Sequence, residues 1–173
     1  LWAPTFLPQY VTWSSDLSQF LAVGANGGIA TSTNGINYVP QTSGVGITLR
    51  GAIWNSQFQE YVVVGNNGTI LTSTNGIDWD QETSGTTDNL ISVTWSPQLG
   101  IYVIATLNAN DAILNSNDGS TWTSPGISFP FFAPRSVTWS PLVNRFLIVG
   151  TSGSTGASSN GTTWTNEQTL VGN

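Results

Sequence analysis

The stretch SVTWSPQLGIYVIATLNANDAILNSNDGSTWT, residues 92–123, holds most of a unit that the chain writes four times. VTWS returns at 11–14 and 137–140, and NSNDGSTW is echoed by TSTNGINY, TSTNGIDW and ASSNGTTW. Aligned on their glycines, Gly35, Gly76, Gly119 and Gly161 lie 41, 43 and 42 residues apart. Aligned on Trp13, Trp54, Trp95 and Trp139, the steps are 41, 41 and 44. One sentence repeated at a fixed period predicts one structural unit built four times.

Each copy contains short runs of Val, Ile, Phe, Tyr, Thr and Trp, bounded by Gly, Asn and Ser, which is strand chemistry rather than helix chemistry. The first runs are YVTWS, GAIWN, SVTWS and SVTWS; the second are QFLAVG, EYVVVG, IYVIAT and RFLIVG. GIATS, TILTS, AILNS and TGASS follow as third strands, and the fourth begins near Tyr38, Trp79, Trp122 and Trp164. Asn26-Gly27 and Asn67-Gly68 stand between second and third strands, as a tight hairpin with positive backbone angles requires. In the third copy LNAN lengthens that loop. A period near 42 residues is that of a four-stranded propeller blade. The fold expected is therefore an all-β β-propeller with four blades of four antiparallel strands. The blades fall at about 10–48, 49–90, 91–133 and 134–173, with 1–9 as a closing segment because FLPQYVTW aligns with FAPRSVTW. A closed ring of four, an arc of a larger ring and a pair of chains forming eight blades all fit this length. Trp13, Trp54, Trp95 and Trp139 are expected between neighbouring blades.

Composition narrows the chemistry. With 173 residues, 39% of them hydrophobic, and 8 Trp, 7 Phe and 4 Tyr, the chain can build a core without disulfides, and it has no Cys. It has no His either, which removes the commonest catalytic base and zinc ligand. Arg50, Arg135 and Arg145 are the only basic residues against nine acids, for a net charge of -6, so a nucleic-acid surface is not expected. No apolar run approaches the length of a membrane span. The sequence starts at Leu1 and contains no Met, which fits a processed product or an excised piece.

The most specific motif is the turn before the fourth strand, at Thr31 to Tyr38, Thr72 to Trp79, Asn115 to Trp122 and Ala157 to Trp164. It resembles the Asp-box, the S-x-D-x-G-x-T-W turn of bacterial neuraminidase repeats and of related propellers such as photosystem assembly factors and sortilin-type receptors. In that alignment the family's Asp falls on Thr33, Thr74, Asn117 and Ser159, so the side chain that ties the turn is expected to be weakened. The resemblance places the box on the face opposite the family's active site, so Asn34, Asn75, Asp118 and Asn160 are read as structural. GNNGTILTSTNGIDW also resembles short repeats of phage and other viral surface proteins.

The sialidase chemistry that the resemblance raises is not supported by the residues. It takes three convergent arginines, and Arg145 starts a second strand whereas Arg50 and Arg135 precede a first-strand Trp by four positions. Asp78, Asp80 and Glu82 alternate along one strand face, which reads as a solvated outer edge. No metal or cofactor is expected. The function expected is a non-enzymatic structural or interaction module displayed on a particle or cell surface, extracellular or on a virion, with a lectin-like glycan-binding propeller as the alternative. Partners would be a protein or particle surface or a glycan, without membrane insertion, and oligomers fit. Two sites are singled out. Arg50 and Arg135 share a repeat position and, in a closed ring of four, would face each other across the axis to hold an anion or carboxylate. Phe129, Phe131 and Phe132 in ISFPFFAP form the most apolar loop and are expected to contact a partner.

Overall fold

The computed structural model describes residues 6–129 and 133–167. Four antiparallel meanders follow one another along the chain. The first blade is β1 (Pro8–Ser14), β2 (Gln19–Gly24), β3 (Ile29–Ser32) and β4 (Val39–Gln41). The second is β5 (Leu49–Asn55), β6 (Glu60–Gly65), β7 (Ile70–Ser73) and β8 (Asp80–Glu82). The third is β9 (Leu90–Ser96), β10 (Ile101–Thr106) and β11 (Ile113–Ser116), and the fourth is β12 (Pro134–Ser140), β13 (Arg145–Gly150), β14 (Thr155–Ser158) and β15 (Thr165–Glu167).

The third blade departs from the expected four strands. Its outer edge is a single bridge between Asn115 and Thr123. Pro125 stands where Gln41 and Glu82 pair with Ile29 and Ile70, and a proline has no N–H to give to a ladder.

The Asn-Gly signals form the turns they predict, with positive φ at Asn26 (57°) and Gly27 (69°) and at Asn67 (54°) and Gly68 (66°). Ser152 and Gly153 do the same in the fourth blade. These turns are also clasped by the linker to the next blade. Gly27 N–H donates to Ile47 O at 2.8 Å, and Gly68 N–H donates to Asp88 O at 2.7 Å. The approach is so close that a Cβ on Gly68 would lie 1.9 Å from Thr86 O.

The core lies in three seams between consecutive blades. Alternation along the second strand decides which seam each residue enters. Tyr61 and Val63 face back toward Leu21, Val23 and Ile29, while Val62, Val64 and Ile70 face forward toward Trp95, Tyr102 and Ile104. Ile101, Val103, Ala105 and Ile113 then meet Val137, Phe146 and Ile148. Every second strand is thus apolar on both faces, as a sheet sandwiched between sheets must be.

Packing runs from β1 to β5, from β5 to β9 and from β9 to β12, and no comparable packing returns from β12 to β1 among the described residues. The sheets form an open arc, not the closed ring of four. This changes the expectation for the tryptophans. Trp95 is buried and Trp54 and Trp139 are half-buried, but Trp13, which has no preceding blade, is 44% exposed.

Candidate functional site

Repeat positions allow the two ends of the arc to be compared with its interior. At the forward-facing positions of the second strand, Leu21, Val23, Val62, Val64, Val103 and Ala105 are all 0% exposed except where no blade follows: the equivalents Leu147 and Val149 are 43% and 37% exposed. The other end behaves likewise. Ala52, Val93 and Val137 on the inner strands are buried, whereas their equivalent Val11 is 54% exposed. Each end of the arc thus exposes part of a seam face, although Ala22 and Ala30 on the first blade are buried.

The two half-seams differ in shape. On the first blade, Ala22 and Ala30 replace the pairs Val63 and Leu71 or Ile104 and Leu114. A groove of ≈ 530 Å³ is lined by Pro8, Gln9, Tyr10, Val11, Ala22 and Tyr38, while Ala30 is fully buried. On the fourth blade Leu147 and Val149 are exposed, whereas Thr155 on the same face is buried.

The seams also contain polar contacts. In the second, Tyr102 donates its hydroxyl to Glu60 Oε1 at 2.9 Å and accepts from Asn55 Nδ2 at 2.6 Å. Burial pushes the Glu60 carboxyl above its ordinary value, and burial with the adjacent Glu60 pushes the Tyr102 hydroxyl up strongly. Burial likewise raises Tyr61, to about 12. In the third seam the inner strands meet through hydroxyls. Ser92 Oγ accepts from Val137 N–H at 3.2 Å and donates to Val137 O at 3.3 Å, and Thr94 Oγ1 accepts from Trp139 N–H at 3.2 Å.

The sites singled out from sequence fare differently. Arg50 and Arg135 both lie at the inner-strand bulge, at the position that Gln9 and Ile91 hold in the other blades. The third blade stands between theirs, Arg50 Nε donates to Asn66 Oδ1, and Arg135 is exposed. In the open arc these blades do not oppose each other across an axis. Phe129 is 3% exposed and packs edge-on to Trp164 in the third seam, so it is core rather than a partner contact. Phe131 and Phe132 lie outside the described residues, as does most of the closing segment 1–9.

The box turns are tied by residues one place later than the Asp-box alignment assigns. Asn34, Asn75, Asp118 and Asn160 each accept two backbone N–H groups through Oδ1, at 2.7–3.0 Å. Ser32, Ser73, Ser116 and Ser158 accept the glycine N–H of each turn. The tie is therefore intact in all four copies. It holds Asp118 well below the usual carboxylate range, through the Thr121 and Ser120 amides.

Solved structures resemble this arc at low identity. The streptogramin B lyase structure is 14% identical with a TM-score of 0.81, covering 99% of this chain and 58% of that one. Virginiamycin B lyase from Staphylococcus aureus is 16% identical at a TM-score of 0.80, covering 97% and 57%. YCF48 from Cyanidioschyzon merolae is 16% identical at a TM-score of 0.71, covering 96% and 57%. The fold is propeller-like. This chain spans less than two thirds of the length of those proteins. No family model matches it, and no curated protein matches it. A further structure, of YCF48 bound to D1 peptide, has a TM-score of 0.57 and 14% identity, covering 94% and 66%. These neighbours are a lyase and YCF48, not viral structural or surface proteins, and they correct the expectation of a module displayed on a particle or cell surface, with its glycan-binding alternative.

Proposed function

We propose that this chain works by binding protein, through the apolar half-seams at the ends of its arc. The observation that carries the reading is the exposure of Leu147 and Val149 at positions where six equivalents are fully buried. A face that is core elsewhere in the same chain has the composition and shape to accept another polypeptide. The structure of a propeller-like neighbour, YCF48 bound to D1 peptide, supports this reading. Catalysis is the weaker reading because the sequence has no His, Cys or Lys, the side chains most readily tuned to exchange protons near neutral pH.

The test is selection of peptides from a random display library on the immobilised chain. Apolar peptides should be recovered that lose binding on Leu147→Asp or Val11→Asp and keep it on Asp80→Asn, a change on the outer strand. Peptides that bind all three variants equally, or no recovery at all, would set the reading aside.

A further inference from the structure

We infer that the end of the blades bearing the first hairpin tips and the box turns is a second docking surface, and that its partner is a polypeptide rich in apolar and basic side chains. This surface lies apart from the half-seams proposed above and does not depend on them.

The turn from each inner strand to the second strand carries an apolar residue at one repeat position, four after the inner tryptophan: Leu17, Phe58, Leu99 and Val143. The first three are 37%, 41% and 42% exposed. Each of those three belongs to a blade packed against its successor, so the lack of a neighbour does not explain their exposure. The turns are held in shape by the buried residue that closes each inner strand. Leu17 N–H donates to Ser14 Oγ at 3.1 Å, Phe58 N–H to Asn55 Oδ1 at 3.4 Å and Leu99 N–H to Ser96 Oγ at 3.2 Å. The following residue is left-handed in every blade, at Ser18, Gln59, Gly100 and Asn144. Phe58 meets Trp95 edge-on, with ring centroids 5.4 Å apart, and keeps its exposure even so.

In each antiparallel meander the first and third strands finish at the same end, so the box turns share this surface. Ile36 and Ile77, each one residue past the box glycine, are 69% and 52% exposed and add an outer row beside the inner row of tips. Single exposed apolar side chains need no explanation, whereas rows repeated at one end of a fold mark a contact surface. In the turns and linkers of the opposite end, Leu7 alone among the described residues exposes a large apolar side chain to that degree.

The charges divide in the same direction. Asp16, Asp78 and Asp118 are exposed in the tips and box turns, against one base, Arg145, at the start of β13. Arg50 and Arg135 lie at the other end, as do Asp88 and Asp111. Asp118 stays ionised because the Thr121 and Ser120 amides hold its carboxyl well below the usual range. Carboxylates set among the apolar tips repel an anionic membrane and attract a basic chain, while the tips supply the contact area.

The probe is a short fluorescein-labelled peptide alternating Leu and Lys, compared by anisotropy with one alternating Leu and Glu and one alternating Ser and Lys. The Leu-Lys peptide should bind more tightly than both others. Ile77→Ser with Leu99→Ser should weaken it about tenfold through lost apolar contact. Asp78→Asn with Asp118→Asn should weaken it several-fold and flatten its dependence on salt. Leu147→Ser, on a half-seam, should leave it unchanged. Circular dichroism checks each fold, and Leu17→Ser with Ile36→Ser repeats the test on the first blade if the first pair disturbs folding. Equal binding of the Leu-Glu peptide, or indifference to both the apolar and the acidic variants, would overturn the inference. Loss on Leu147→Ser alone would overturn it too while leaving the half-seam reading standing. Binding to neutral phosphatidylcholine vesicles in place of the peptide, lost in the same variants, would assign the surface to lipid and overturn the polypeptide partner.

Discussion

Tyr102 gives its hydroxyl proton to Glu60 Oε1 at 2.9 Å across the seam between the second and third blades, while taking one from Asn55. Burial raises the Glu60 carboxyl, so the folded state favours its protonated form more than the unfolded state does. The folded chain then binds more protons than the unfolded chain between the ordinary glutamate value and the raised one, and stability falls as pH rises through that window. Thermal unfolding should therefore occur at higher temperature when pH is lowered toward the ordinary glutamate value. Glu60→Gln should flatten that part of the profile.

Removing the hydroxyl at Tyr102 should cost more than the loss of one contact. Asn55 is buried and would keep an unpaired Nδ2, a penalty of about 1–3 kcal/mol. Tyr102→Phe, compared with wild type by urea unfolding at neutral pH, should show a loss of that size. At Phe146, where no hydroxyl exists, the facing residue is Ile101, an apolar match in the next seam.

In the box turns, Asp118 occupies the place that Asn34, Asn75 and Asn160 hold elsewhere. Its lowered pKa contributes stability that is present above the ordinary aspartate value and lost as pH falls toward the depressed one. Asp118→Asn should leave unfolding at neutral pH nearly unchanged and reduce the loss of stability below about pH 4. Urea midpoints at neutral and acidic pH provide the comparison.

Glycines of similar backbone angle should respond differently to a methyl group. Gly85, at φ 76°, has nothing within 4 Å of an added Cβ, so Gly85→Ala should cost about 1–2 kcal/mol from conformation alone. Gly68→Ala meets the Thr86 carbonyl as well and must open the turn, and about 3 kcal/mol or more is expected. Amide exchange of Gly68, which donates to Asp88 O, should speed up in step.

The inner-strand tryptophans should separate by blade. Trp95 is 8% exposed, and Trp95→Ala should cost about 3–5 kcal/mol. Trp13, at 44% exposed, should cost about half as much or less on replacement by Ala. Denaturant melts of both variants decide this.

The repeat made the blades legible because period, strand alternation and Asn-Gly turns act locally and agree with one another. The third blade's missing strand was less accessible, since Pro125 looks harmless until the pairing it blocks is known. The exposure of Leu147 could not be read from RFLIVG, which is as apolar as the second strands buried in the interior. What exposes it is the lack of a neighbour, a property of the arrangement and not of the segment. Phe129 shows the converse: an apolar loop residue expected to meet a partner lies within its own seam, against Gly156. The box tie was assigned to Thr33 and its equivalents because alignment on the glycine does not reveal which neighbouring oxygen reaches the amides.

The clasp between the first two hairpin turns and the linkers beyond them has an evolutionary consequence. Gly27 and Gly68 bind linkers that already carry the chain into the next sheet, so an added copy of about 42 residues arrives with its own fastening. Duplication at residues 83–89 would lengthen the arc without creating a new kind of surface, and deletion would shorten it in the same way. Blade number is then a quantity that recombination can adjust in whole steps.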